Sequence, residues 1–273
     1  MRAFSALPIL LLVCIPINAG EAMIVAHRGA SRDAPENTVP AFRLAWEQGA
    51  DAIEGDFHLT KDGQIVCIHD GNTKKVSNTN LVVRATPLTE LRKLDVGACR
   101  GEKFKGTAIP TIAEVFGTVP KGRKIYIEIK CGAEIIPALL SEIDKSGLTK
   151  DQIVVISFKE KVLRELKAKA PQYKAYWLCS FKKQKTGKIT PPLEKVLSML
   201  KLIQADALSS NTAVPHSLIE ALKQHGYEWH VWTVNDVKKA RKLQTLGARS
   251  ITTDVPGHMR ERFVEQSPAG DGK

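Results

Sequence analysis

The chain has 273 residues and a formal net charge of +11. That length can bury a full core, and one α/β barrel of about 250 residues would fill it without a second domain. The charge favours anionic partners, but the lysines are spread along the chain, with Lys182-Lys183-Gln184-Lys185 the densest run. No nucleic-acid-binding module accompanies them, so nucleic acid is set aside and a small phosphate-bearing ligand is kept.

Met1-Arg2, the apolar run from Leu7 to Ile17, and Asn18-Ala19-Gly20 follow the order of a secretory signal peptide: basic start, apolar middle, small-residue exit. The run is too short to span a bilayer comfortably, and Val13 before Cys14 is not the small residue of a lipoprotein signal. The expected organisation is a signal peptide over 1–20, one barrel domain over 21–265 and a polar tail over 266–273, with export to a periplasm or the medium. Cleavage would leave Cys67, Cys99, Cys131 and Cys179. None shows the C-x-x-C spacing of a zinc site, Cys67 and Cys179 read as small buried hydrophobes, and the spacings fix no disulfide pairing.

Met23 to Ala26 is a short apolar run that stops at His27-Arg28-Gly29, the pattern of a buried strand delivering polar groups at its carboxyl end. A helix is expected over Thr38 to Gln48, with Asn37 or Thr38 as its N-cap. The second strand, Ala52 to Leu59, carries Glu54 and Asp56. Strand alternation turns both carboxylates to one face and Ile53, Gly55 and Phe57 to the other. Two like charges that close call for a cation, and carboxylate oxygens suit Mg²⁺ or Ca²⁺ better than zinc. A third apolar run, Ile65 to Ile68, ends in His69-Asp70.

From Gly63 to Gly106 the alternation of strand and helix is interrupted, which predicts a small insertion, about 71–108, after the second strand and over the barrel mouth. Beyond it, strands are expected at Ile125–Ile129, Ile153–Phe158, Tyr173–Cys179, Ala207–Ser209, Trp229–Val234 and Ser250–Thr253. Helices are expected at Thr111–Val119, Ile135–Ser146, Lys159–Ala170, Leu193–Ile203, His216–His225, Asp236–Leu246 and Pro256–Glu265. Eight strands alternating with eight helices predict an α/β fold of the closed (β/α)8 TIM-barrel type.

Such barrels place their sites at the carboxyl ends of the strands. His27, Glu54, Asp56, Glu128 and Lys130 fall there, on the first three strands. One buried carboxylate alone reads as well as half of a salt bridge; three together point to a bound cation. Lys130 reads equally as a phosphate contact and as a counter-charge for the carboxylates. Trp232 reads equally as a wall for an alcohol moiety and as core filling.

The segments HRGASRDAPENTVPAF, GADAIEGDFHLTKDGQIVCIHD, IEIK and VWTVND resemble the glycerophosphodiester phosphodiesterase family, in the family's order and through most of the chain after residue 22. The resemblance implies a (β/α)8 barrel with a small insertion subdomain, His27 and His69 as general acid and base, Glu54, Asp56 and Glu128 as ligands of a divalent metal, and Arg28 on the phosphate. It implies hydrolysis of glycerophosphodiesters to sn-glycerol 3-phosphate and an alcohol, by direct attack of water or through a cyclic phosphate. The segment Asn72 to Ser77 departs from the family pattern.

Three other readings fit parts of the pattern. A phospholipase-D-like or lyase-type lipid phosphodiesterase would use the same barrel and histidines. A glycoside hydrolase would use Glu54 and Glu128 as its carboxylate pair and leave His27, Arg28 and His69 without a task. A secreted protein that binds a phosphate ligand without turnover would keep the whole set. No stable membrane insertion of the mature chain is expected.

Overall fold

A computed structural model of the chain describes residues 22–264; the expected signal peptide and polar tail lie outside the described residues. Eight parallel strands close into a barrel: β1 (Met23–His27), β2 (Ala52–Leu59), β3 (Lys124–Ile129), β4 (Ile153–Ser157), β5 (Lys174–Cys179), β6 (Ala207–Ser210), β7 (Glu228–Val231) and β8 (Ser250–Thr253). Closure comes from β1, which pairs with β2 on one side and β8 on the other, with Met23 opposite Ser250 and Ala26 opposite Thr253. The expected closed barrel with an insertion after its second strand is the fold observed.

A helix follows each strand on the outside: α1 (Val39–Glu47), α2 (Ile112–Phe116), α3 (Ile136–Ser146), α4 (Glu160–Lys169), α5 (Leu193–Ile203), α6 (His216–Gln224), α7 (Val237–Thr245) and α8 (Pro256–Val264). Side chains alternate about each strand, so the apolar material divides in two. Ile24, Ile53, Phe57, Ile125, Ile127 and Val155 join the helices in the larger core, while Val25, Ala52, Tyr126, Ile156, Tyr176 and Leu178 fill the barrel interior.

Most elements match their sequence pattern to within a residue at each end, and two fall short by more. The α2 helix stops at Phe116 rather than Val119 because Gly117 and Pro120 follow, although a capping box of Thr111 and Glu114 starts it firmly. The ladder of β7 ends at Val231. Trp232 N and Val234 N nevertheless still donate to Ser210 O and Thr252 O of the flanking strands, which carries the segment over the barrel mouth.

The insertion between β2 and α2 begins with an antiparallel strand, Ile65–Cys67, on the edge of β2. It has its own apolar centre of Val66, Ile68, Val83, Leu91, Val96 and Ile109. Short 3₁₀ turns, among them Ala98–Arg100, connect the rest. The four described cysteines are unpaired thiols, and no helix among the described residues is long and apolar enough to cross a membrane.

Candidate active site

Parallel register assembles the acidic centre. His27 on β1 lies opposite Glu54 on β2, and Asp56 on β2 lies opposite Glu128 on β3. Adjacent parallel strands stand about 4.8 Å apart, so the interior-facing residues of β2 and β3 form one cluster. Glu54, Asp56 and Glu128 offer ligand oxygens that all lie within 4.8 Å of one another.

The cluster is short of positive charge. Glu54 Oε1 and Asp56 Oδ1 are buried without a hydrogen-bond partner. Burial, followed by the neighbouring charges of Asp56 and Glu128, pushes the Glu54 carboxyl up to about 8. Glu128 is raised by burial and then by Asp56, against the pull of Lys130. Burial opposes ionisation of Asp56 too, but Lys130 and Arg28 together hold its carboxyl below the usual range. A buried Glu54 oxygen with no partner, beside an Asp56 Oδ1 that has only an ion-pair contact with Lys130, on an all-carboxylate donor set fits a hard divalent cation, which would offset this repulsion.

Arg28 is wired into the same centre. It adopts a left-handed backbone, φ 56°, which non-glycine residues seldom occupy and which the surroundings must hold in place. Its N–H donates to Glu54 Oε2 at 2.9 Å and its Nη1 to Glu36 Oε1 at 3.0 Å, with Nε in an ion pair 3.1 Å from Asp56 Oδ2. Next to it, Gly29 sits at φ +79°, and a Cβ there would come within 2.6 Å of the Ala41 carbonyl carbon.

Thr38, not Asn37, caps α1: its hydroxyl accepts from Ala41 N. Asn37, at φ 59°, instead clasps Asp56. Its Nδ2 donates to Asp56 Oδ2 at 2.8 Å, and its Oδ1 accepts from Asp56 N at 3.0 Å.

Both histidines are held by carboxylates that the sequence reading did not assign. His27 Nδ1 lies 2.7 Å from Asp254 Oδ1 at the end of β8, and His69 Nδ1 lies 2.6 Å from Asp70 Oδ1. Asp254 is itself held by Asn235 Nδ2 at 2.7 Å and by the Ser31 hydroxyl at 3.2 Å. Burial would lower the pKa of His27, but the bond to Asp254 and then the charge of Glu54 outweigh it, so the imidazole is raised. Burial likewise opposes ionisation of Asp254, and the hydrogen bonds from His27 and Asn235 hold it down at about 2.

Lys130 Nζ reaches Glu128 Oε1 at 2.8 Å, Asp56 Oδ1 at 3.4 Å and His69 Nε2 at 3.3 Å. It therefore acts as a counter-charge to the acidic cluster and also touches a histidine. His58 Nε2 bonds the carbonyl of His69 at 3.1 Å, which fixes the loop that carries it.

Two cavities meet at His27 and Arg28. The inner one, about 280 Å³, lies over the barrel axis and is lined by Glu54, Glu128, Lys130 and His69 on one side and by Tyr126, Ile156, Leu178 and Trp232 on the other. Trp232 packs edge-on against Phe158, with ring centroids 5.6 Å apart, and its Nε1 is buried without a partner. The outer cavity, about 390 Å³, opens between the β1–α1 loop and the insertion. Every residue singled out from the sequence thus borders or forms one site: His27, Arg28, Glu54, His69, Glu128, Lys130 and Trp232 line the inner cavity, and Asp56 lies beneath it.

The model of the glycerophosphoryl diester phosphodiesterase family matches residues 27–258. The glycerophosphodiester phosphodiesterase of Caldanaerobacter subterraneus subsp. tengcongensis is 34% identical over 240 residues, which cover 86% of this chain and 94% of that one. A glycerophosphodiester phosphodiesterase of Bacillus subtilis is 26% identical over 251 residues, 86% of this chain and 84% of that one. Among solved structures, an Oleispira antarctica phosphodiesterase in complex with the product sn-glycerol-3-phosphate superimposes with a TM-score of 0.79 at 26% identity, covering 89% of this chain and 96% of that one.

Proposed function

The chain belongs to the glycerophosphoryl diester phosphodiesterase family, and on that premise we propose how it hydrolyses glycerophosphodiesters to glycerol 3-phosphate and an alcohol. One observation carries the reading: two histidines, each tied through Nδ1 to a carboxylate, flank a buried three-carboxylate cluster that also holds an arginine and a lysine.

In this proposal Glu54, Asp56 and Glu128 would hold Mg²⁺ or Ca²⁺, which when bound would supply positive charge to the phosphate. Arg28 binds the phosphate through the guanidinium that the Glu36 and Asp56 contacts orient, and Lys130 adds charge from the other side. His69 is the base. The assignment is supported by its two contacts: Asp70 Oδ1 at 2.6 Å favours the proton on Nδ1, and the Lys130 ammonium, a donor, lies 3.3 Å from Nε2, which favours Nε2 as the acceptor. His69 Nε2 therefore takes the proton of the attacking hydroxyl. His27, whose protonated form Asp254 stabilises, gives a proton to the departing alkoxide. Trp232 forms a wall of the inner cavity, against the glycerol moiety.

Glycerophosphocholine incubated with the purified chain should release sn-glycerol 3-phosphate in a coupled assay. Activity should be abolished by EDTA and restored by Mg²⁺ or Ca²⁺; release that EDTA leaves unchanged would overturn the metal assignment. Export, argued from residues 1–20 alone, belongs to the same proposal. The intact mass of protein recovered from the periplasm or medium should lack that segment.

A further inference from the structure

We propose that Arg32 and Arg100 form a second anion subsite, which selects glycerophosphodiesters whose departing alcohol carries a negative charge. This rests on the phosphodiesterase reading above and extends it to the part of the substrate that varies.

His27 and Arg28 line both cavities, so a phosphate held between them sends its two ester arms into different surroundings. The inner cavity combines the aromatic and aliphatic side chains of Tyr126, Ile156, Leu178 and Trp232 with the hydroxyl residues Ser209 and Thr252, and suits a polyol of constant size such as glycerol. The outer cavity is open, and its lining includes Arg32 from the β1–α1 loop and Arg100 from the insertion. The alcohol arm lies there.

The charge balance of the outer cavity is uneven. Its two carboxylates are already engaged. Glu36 accepts from Arg28 at 3.0 Å with Lys75 at 4.0 Å, and Asp254 is held by His27 and Asn235. Among the described residues no carboxylate oxygen lies within 4.0 Å of either Arg32 or Arg100.

Arg100 does not swing free. Its Nη2 donates to the carbonyls of Ser31 and Arg32, which pins the insertion to the β1–α1 loop and fixes the guanidinium across the mouth. The backbone of Arg32 is held in turn, its N–H donating to Asp254 O at 3.1 Å. Two arginines without acidic partners, one from each wall, line the arm of the site that receives the alcohol. A carboxylate or a second phosphate there would gain charge-assisted hydrogen bonds, and a quaternary ammonium would be repelled.

The test uses four diesters of sn-glycerol 3-phosphate, with choline, glycerol, glycerate or glycerol phosphate as the second alcohol, assayed on the metal-loaded enzyme. At low salt, kcat/KM for the anionic diesters should exceed that for the glycerol diester about tenfold, chiefly through KM, and the ratio should fall towards one at high ionic strength. Arg32→Gln should bring that ratio close to one, and Arg32→Lys should restore part of it. Arg32 makes its loop contact through the backbone, so this variant tests charge without loosening the loop, whereas R100Q does both. Preference for both anionic diesters supports a general anion subsite. Preference for the phosphate-bearing or the carboxylate-bearing diester alone supports the subsite and identifies its ligand. Cleavage of all four with one kcat/KM, or an anionic preference that survives R32Q and high salt, overturns the subsite while leaving the phosphodiesterase reading intact. Failure to cleave any of the four overturns both.

Discussion

His27 and Asp254 stand 227 positions apart in the chain and 2.7 Å apart in space. Their contact spans the seam where β1 meets β8, so the last strand of the barrel orients a histidine on the first. Asp254→Asn keeps the shape and loses the charge that favours imidazolium. The expected outcome is a fall in kcat of roughly tenfold to a hundredfold with a smaller change in KM, since the carboxylate acts chiefly by positioning the acid through its 2.7 Å bond to His27 Nδ1. Steady-state kinetics on a variant with unchanged far-UV dichroism checks this.

The same pair predicts how stability varies with pH. Asp254 is held at about 2 in the fold against an ordinary 3.8, so its contribution is present above about pH 4 and is lost as pH falls through the folded value. His27 is raised above its ordinary 6.5, so its contribution is complete below that value and is lost as pH rises through the folded one. The Tm advantage of the parent chain over D254N should therefore be widest between roughly pH 4 and 6.5 and close towards pH 2. An advantage that is flat from pH 2 to 9 would contradict the linkage.

Glu54 should behave in the opposite sense. With its carboxyl pushed up to about 8 by burial and by Asp56 and Glu128, ionising it in metal-free protein costs stability as pH rises. In the presence of EDTA at pH 9, Glu54→Gln should melt higher than the parent. With saturating Mg²⁺ or Ca²⁺ the order should reverse, because the variant loses a ligand and with it much of the stabilisation a tightly bound ion confers, about 2.7 kcal/mol at a hundredfold excess over Kd. Paired melts in EDTA and in metal give the answer.

Replacing His69 by Ala removes the proposed base and leaves the barrel core untouched. Turnover should drop by roughly 10²-fold to 10⁴-fold, while Tm moves little because the ring is partly exposed and bonds chiefly to Asp70. A near-normal rate would remove His69 from the mechanism.

Gly29→Ala should cost more than its single methyl group suggests. The backbone there is at φ +79°, and the new carbon would meet the Ala41 carbonyl carbon at 2.6 Å. A loss of about 2–4 kcal/mol in chemical denaturation is expected, with activity reduced further because Arg28, the adjacent residue, moves with the loop.

Much of this site could be read in the chain because strands write their facing into the alternation of residues. Glu54 and Asp56 share a face with Ala52, and Ile53 and Phe57 turn to the helices, as the period of two requires. What alternation does not carry is the register between strands: that Asp56 lies opposite Glu128 follows from the shear of the closed barrel. Asp254 escaped notice for a related reason. Thr252-Thr253-Asp254 ahead of Pro256 looks like a helix start, and its partner becomes a neighbour only on closure. Asn37 has the chemistry of an N-cap, and only its left-handed backbone frees the amide to hold Asp56. Arg100 lies in an insertion of short irregular turns, where no periodicity places a side chain.

Closure of the barrel between β1 and β8 also sets when activity can arise. A nascent chain displays His27 and the carboxylates of β2 and β3 early, yet residue 254 must leave the ribosome before the proposed acid is aligned. Contacts so distant in sequence are made late and slowly. A barrel lacking its final strand would carry most of the site without the carboxylate that aligns the proposed acid, so full diester hydrolysis reports a closed barrel.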